Sequence, residues 1–440
     1  MKYILLAIII SITSVSSFAQ SPTVLASSKV RQFTVSDLTP EARKVWENQN
    51  AIVADTRKNL LARMFSDRVL EAEAGSRKTT SSDLVKREMA KLQQPSEIQI
   101  KAIYEANRVN LQNKPLEDVR LQIIGFLRRE PEEKALKNYV ESLTTKHKAA
   151  YGKDVNSPGL NPMEMLFSVA GRSVSAREFE QINKRDLNEV RAEIVDTVKH
   201  DLEVVALNEL IEVEARAQKT DAGTLFGREI TDKMRDFSDE ERAGLENDLK
   251  RKLFAKYELR FLVKEPEPFV ENVSIDDDPA FGNSAAPVTV IMFSDFQCSA
   301  CAKTHPILKG VIDGYGDKVR FVVRDFPLTD IHENAFRAAV AANAAHKQGK
   351  FVAFTERLYT HQDALDTASL KRYAAELGLN AARFELDLND EKAAAEISKD
   401  IADGKSYGVK GTPTIFINGI KVRHLSAEDF RELIDVALKK

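Results

Sequence analysis

Apolar positions change their spacing along this chain, and the changes divide it. Leu61, Met64, Phe65, Val69 and Ala72 recur at helical intervals, so one face of a long helix can be buried. Residues 27–150 keep that texture almost throughout, with Pro40, Gly75, Pro95, Pro115 and Pro131 at its breaks. "YGKDVNSPGLNP" (151–162) is a turn-rich connector, and helical spacing resumes over 163–264. Trp46 and the aromatic positions of this half read as core, and its Glu/Lys runs as solvated helix faces. The acid- and proline-rich stretch 265–287 reads as a linker. Beyond it "VTVIMFSDF" (288–296) is a near-continuous β-branched and aromatic run, the pattern of a buried central strand. "VRFVVRDFPL" (319–328) repeats it, and "TIFING" followed by "IKV" predicts strand, turn, strand. The alanine-rich segment 331–405 between them is helical. The pattern predicts a multidomain chain: a mainly α-helical N-terminal half, then an α/β sheet domain over 288–440 with a helical insertion.

The helical half contains a repeat. "LEAEAGSRKTTSSDLVKREM" (70–89) and "IEVEARAQKTDAGTLFGREI" (211–230) align without a gap and share eight of 20 positions, among them Glu73/Glu214, Lys78/Lys219 and Leu84/Leu225. Upstream, "TVSDL" (34–38) is echoed by "SVSAREF" (173–179), with a shift of about two residues. The flanking order also matches, so one architectural unit is used twice, over 27–150 and, shortened, over 163–264.

Charge excludes some functions. The chain carries 64 basic and 67 acidic residues, a net charge of −3, interspersed rather than clustered. That leaves no basic footprint for nucleic acid. At the N-terminus Lys2 precedes an apolar run, Tyr3 to Ile12, and then Ser17-Phe18-Ala19. This reads as a secretory signal peptide over 1–19, with an uncleaved anchor as the alternative. The expected location is periplasmic or otherwise extracytoplasmic, soluble after removal of the leader, where disulfides persist.

Only two cysteines are present, Cys298 and Cys301, at the end of a strand and the start of a helix. There the helix N-terminus favours a thiolate at Cys298, and Cys301 follows one turn later on the same face. That is the arrangement of a redox pair: one sulfur attacks and the other resolves. A metal clip or an inert staple are the other readings. Zinc usually takes four ligands, and there is no second cysteine pair. His305 makes a two-sulfur, one-nitrogen site conceivable, although it reads more readily as a solvated helix residue. His332 and Asp295 read as structural, Asp295 ordering the turn. No cofactor is called for.

"FSDFQCSAC" together with "GTPT" (411–414) resembles the DsbA-like branch of the thioredoxin superfamily, over about 276–440. The resemblance implies a thioredoxin fold, thiol–disulfide oxidoreductase activity, and a cis Pro413 facing the cysteines, with the Thr412 backbone pairing to an extended substrate chain. It implies partners too: unfolded or partly folded secreted proteins with free thiols or disulfides, and a membrane redox partner that resets the pair. Two departures leave the direction of electron flow open. The interior of the motif is Ser299-Ala300, where strong oxidants of that branch have Pro-His, and Met292 stands where its members often place a buried carboxylate. The helical repeats resemble the N-terminal module of SurA-like periplasmic chaperones, on Val174, Ser175 and Phe179 in one copy and Leu70, Glu73 and Ala74 in the other. They imply a client-binding arm. The alternatives are a disulfide isomerase or reductase dimerised by the helical half, and chiefly a chaperone with an accessory redox centre.

Overall fold

The computed structural model describes residues 23–111 and 113–439. The signal peptide expected over 1–19 lies outside the described residues. The first repeat opens with a hairpin, β1 (Val24–Ser27) and β2 (Gln32–Thr34), followed by α1 (Pro40–Glu47), α2 (Gln49–Arg77), α3 (Ser81–Met89), α4 (Glu97–Asn107), α5 (Leu116–Thr144) and β3 (Ala150–Tyr151). The second has the hairpin β4 (Met165–Val169) and β5 (Arg172–Ser175), then α6 (Ala176–Ile182), α7 (Lys184–Ala217), α8 (Ala222–Glu229), α9 (Asp239–Lys256) and β6 (Arg260–Phe261). Thr34 and Ser175 each begin a helical turn, so these parts of the repeat align without the two-residue shift suggested by the sequence.

Each repeat lends its hairpin to the other. β6 pairs with β1, and β3 pairs with β4, giving the three-stranded sheets β2-β1-β6 and β3-β4-β5. The chain accordingly divides into two units. One takes in the described residues up to Leu61 with Arg185–Glu267, and the other Ala62–Lys184 with Pro268–Lys440. In the first, Leu25 and Phe33 of the early hairpin, with Trp46 at the edge, pack on Val195, Val198 and Leu202 of α7. In the second, Phe65 of α2 stacks on Tyr151 and meets the edge of Phe167 on β4.

The helix ends repeat as well. Lys78 and Lys219 both take positive φ (53° and 55°), and the next amide bonds back to Ala74 and Ala215 respectively. This is the left-handed helix terminus that usually selects glycine. Lys148 and Glu258 close α5 and α9 in the same way.

The remaining strands, β7 (Ala280–Phe281), β8 (Val288–Ser294), β9 (Val319–Asp325), β10 (Thr414–Ile417) and β11 (Ile420–Lys421), form one sheet in the order β11-β10-β8-β9-β7. β8 and β9 run parallel, and the crossover between them is α10 (Ser299–Asp313). Between β9 and β10 come five helices, α11 (Ala335–His346), α12 (Phe351–Thr360), α13 (Thr367–Glu376), α14 (Ala381–Leu388) and α15 (Glu391–Ser406); α16 (Ala427–Leu438) follows the hairpin. Asn418 and Gly419, both at positive φ, make the hairpin turn. β8 is buried along almost its whole length. Val288, Val290 and Met292 face a core shared with α10, α11 and α16, while Ile291 and Phe293 face Val322, Phe416 and Tyr407.

Part of the stretch that composition marked as a linker is built into this sheet. Ala280–Phe281 forms its edge strand, and Val270 bridges to Ile420. Arg324, fully buried on β9, gives the reason: it holds Asp278 at 2.8 Å, the Ser274 carbonyl at 3.1 Å and Asp403 of α15 at 3.1 Å. A buried guanidinium needs such partners, and a two-residue strand shows no alternation by which to recognise it.

Candidate active site

Cys298 is the N-cap residue of α10, where the chain turns from extended to helical. Its sulfur lies over the first amides of the helix. Cys301, one turn on, is completely buried. Both are free thiols, 3.8 Å apart. The Cys298 thiol donates to the Thr412 carbonyl oxygen at 3.3 Å, and the Thr412–Pro413 peptide is cis. The structure therefore brings Cys298, Cys301, Thr412 and Pro413 together across more than a hundred intervening residues. Ser299 and Ala300 are exposed at the helix tip.

The two thiols differ in their chemistry. The hydrogen bond from Cys301 holds the Cys298 thiol down to about 5. It outweighs burial and is assisted by the amides of Cys301 and Ala300 and by Thr412. Cys301 goes the other way: burial raises it well above a free thiol, and the neighbouring Cys298 sulfur adds to this. Such an arrangement can use the first sulfur as nucleophile and leaving group while the second keeps its proton.

The loop before α10 is held from several directions. Asp295 accepts from the amides of Gln297 (2.7 Å) and Leu328 (2.8 Å) and lies 2.7 Å from His332 Nδ1, so it orders the turn. Gln362, just past α12, donates from Nε2 to the carbonyls of Phe296 and Cys298, both at 2.9 Å. Nothing in local sequence marks Gln362, because its role exists only once the helical insertion folds back.

His305 is a correction to the sequence reading. It is buried, not solvated, with its ring 5.0 Å from that of Tyr359 and 6.1 Å from that of Phe321. Burial, with Lys309 nearby, pushes its imidazole down to about 4. The signal was present: Cys301, Thr304, Leu308 and Val311 mark the buried stripe of α10, and position 305 falls on it. Among the described residues, the groups whose ligating atoms converge are carboxylates around Asp276, and His305 is not brought into such a group with the two sulfurs. Asp276, Asp400 and Asp403 meet the cations of Arg324 and Lys399 instead.

A parallel β8–α10–β9 crossover, a cysteine pair at the helix start and a cis-proline beside it define a thioredoxin-type redox domain. Residues 274–436 match the family model described as thioredoxin. This C-terminal region is thus similar to thioredoxin, and its cysteine pair suits thiol–disulfide exchange in general. The chain is also similar to the Na(+)/H(+) antiporter NhaA 3 of Salinispora tropica, 42% identical over 147 residues, 33% of this chain and 22% of the relative. NhaA 1 of Mycolicibacterium gilvum is 34% identical over 175 residues, 38% of this chain and 28% of the relative. The chain spans less than a third of these relatives, and antiport is said of them alone. No described helix is long and apolar enough to cross a membrane. Among solved structures, a thioredoxin-like oxidoreductase from Silicibacter pomeroyi is 28% identical, with a TM-score of 0.35, covering 38% of this chain and 94% of that one. BdbD from Bacillus subtilis is 24% identical, also with a TM-score of 0.35, covering 40% of this chain and 100% of that one.

Proposed function

We propose that the protein is an extracytoplasmic thiol–disulfide oxidoreductase that donates disulfides to secreted chains through Cys298 and Cys301. The observation that carries this is the geometry of the pair: Cys298 caps α10 with its sulfur against the Thr412 carbonyl, and Cys301 lies behind it, fully buried, an arrangement that lowers the Cys298 thiol and raises that of Cys301. A stabilised thiolate favours the reduced form of the pair, and so makes its disulfide a stronger oxidant, even with Ser299-Ala300 between the sulfurs. Thr412 and Pro413 line the approach to Cys298 and suit backbone pairing with an extended client. A membrane redox partner would reoxidise the pair.

The helical repeats, similar in pattern to SurA-like chaperone modules, would hold the client. Supporting this, α4 and α5 and the turn between them expose Ile98, Val109, Leu121 and Phe126, each more than half accessible. Large exposed apolar side chains gathered on one helical hairpin suit unfolded chains.

The test is the reduction potential together with a Cys298→Ser variant. The expected potential lies nearer about −120 mV than about −270 mV, and the variant should lose all exchange with a reduced client. A potential near the lower figure would reverse the direction, and exchange that survives in Cys298→Ser would remove the redox reading altogether.

A further inference from the structure

Catalysis by a buried thiol requires somewhere for its proton to go. When Cys301 attacks a mixed disulfide it must lose a proton, and when it is expelled from the Cys298–Cys301 bond it must regain one. Position 292, on the sheet face beneath it, is the fully buried methionine and offers no base.

The same face carries a carboxylate one strand away. Val288, Val290 and Met292 of β8 and Val319, Phe321 and Val323 of β9 line one core together with Cys301. Alternation along the strands continues that face to Ser294 and Asp325, and these two are paired partners in the parallel ladder. The Ser294 hydroxyl faces the Cys301 sulfur, opposing the effect of burial on that thiol, and lies 2.6 Å from the Tyr359 hydroxyl. Asp325 is itself buried, and one of its oxygens accepts from Asn343 Nδ2 of α11 at 2.7 Å. The other groups around it are Asp400 of α15, whose carboxylate accepts the Asp325 amide, Asp295 of the redox loop, Tyr359 of α12 and, on its own strand, Arg324, which turns to the opposite face.

We propose that Asp325 accepts and returns the Cys301 proton through the Ser294 hydroxyl, replacing a base that position 292 lacks. The proposal rests on the redox reading above. Burial first, then the charge of Asp400, raise the Asp325 carboxyl to about 7 against the Asn343 hydrogen bond, so near neutrality it serves in either direction. In the resolving step the Cys301 sulfur forms a bond to Cys298 and the Cys298–client bond breaks. The electron pair leaves on the client sulfur, and the Cys301 proton passes by way of Ser294 to the Asp325 carboxylate. In the reverse step Asp325 protonates the expelled Cys301 thiolate. Asp325 does not touch the reacting sulfurs; it acts through Ser294 as a positioning and proton-holding residue.

The test uses the reduced full chain and the symmetric disulfide of nitrothiobenzoate. Cys298 releases the first coloured thiolate, and resolution by Cys301 releases the second. In the wild type the second phase should rise with pH through an inflection near 7. In Asp325→Asn it should fall about a hundredfold or more at pH 7 and lose that inflection, while the first phase keeps its own profile. Introducing Met292→Glu into that variant should restore the second phase, which a merely structural role would not. A folded Asp325→Asn whose second phase follows the wild-type curve overturns the proposal alone. If Asp325→Asn does not fold, Ser294→Ala decides: a slowed second phase supports the relay, and an unchanged one overturns it. Absence of both phases in the wild type would instead overturn the redox reading, and the relay with it.

Discussion

The two helical repeats close in the same way but differ in what lies between the closing points. In the first, fully buried Glu73 accepts from Lys146 and lies against His147 Nε2, both at 2.6 Å, and Arg77 also reaches it. In the second, Glu214 is held by Lys256, by the Tyr257 hydroxyl at 2.8 Å and by Gln218. In each case the carboxylate comes from the long central helix and the cation from the residues that end the last helix. Both therefore lock the end of the repeat to its middle. Between those points the first repeat has α3, α4 and the long α5, with a small core of Ile100, Tyr104, Val119 and Ile123 between the last two, whereas the second has α8 and the shorter α9. The lock belongs to the architecture. Helix α4 and the first part of α5, an insertion with no counterpart in the second repeat, are not needed to make it, which is why their exposed apolar residues are candidates for function.

The comparison predicts its own tests. The largest effect should come from the locks: Glu73→Ala should cost about 3 kcal/mol and Glu214→Ala about 2 kcal/mol, read as urea midpoints. An effect at one and none at the other would break the equivalence. Next comes pH. Burial would raise the Glu73 carboxyl, but Lys146, His147 and Arg77 outweigh it and hold it at about 2. The Lys256 hydrogen bond, against burial, holds Glu214 at about 2 as well. A carboxyl held below its unfolded value of 4.5 contributes stability that is fully present above that pH. The contribution is lost as pH falls toward about 2, so Glu73→Gln and Glu214→Gln should each flatten the acid side of a stability profile. Lys78→Gly and Lys219→Gly should each stabilise by about 0.5–1 kcal/mol, because glycine accepts the left-handed terminus without strain. Smallest for stability, within about 0.5 kcal/mol, is the triple change Ile98→Ser, Leu121→Ser and Phe126→Ser. That protein should fold normally yet lose suppression of aggregation of a reduced client. Full retention would separate the insertion from client binding.

Much of this was legible in sequence because it is local. The strand runs, the "NG" turn, the cysteine spacing and the identity of Glu73 with Glu214 each lie within a few residues. Residues that act over long separations were hidden. Gln362 pins the redox loop only after the insertion folds, and Ser294 and Asp325 become neighbours only through parallel pairing. The repeat was visible but its exchange was not, since a hairpin's pattern does not reveal which third strand completes the sheet. His305 was misread for another reason: an ionisable residue was assigned to solvent by type, although the stripe it falls on was already defined by its neighbours.

The exchanged hairpins also set an order in time. Ala26 near the start of the described chain pairs with Phe261 at the far end of the second repeat. Contacts of such separation form late, because a long loop must first be closed. A chain emerging N-terminus first would hold its opening hairpin unfinished until both repeats had been made. By then the redox domain is the next segment to appear, so completion of the arm would directly precede arrival of the cysteines it is proposed to serve.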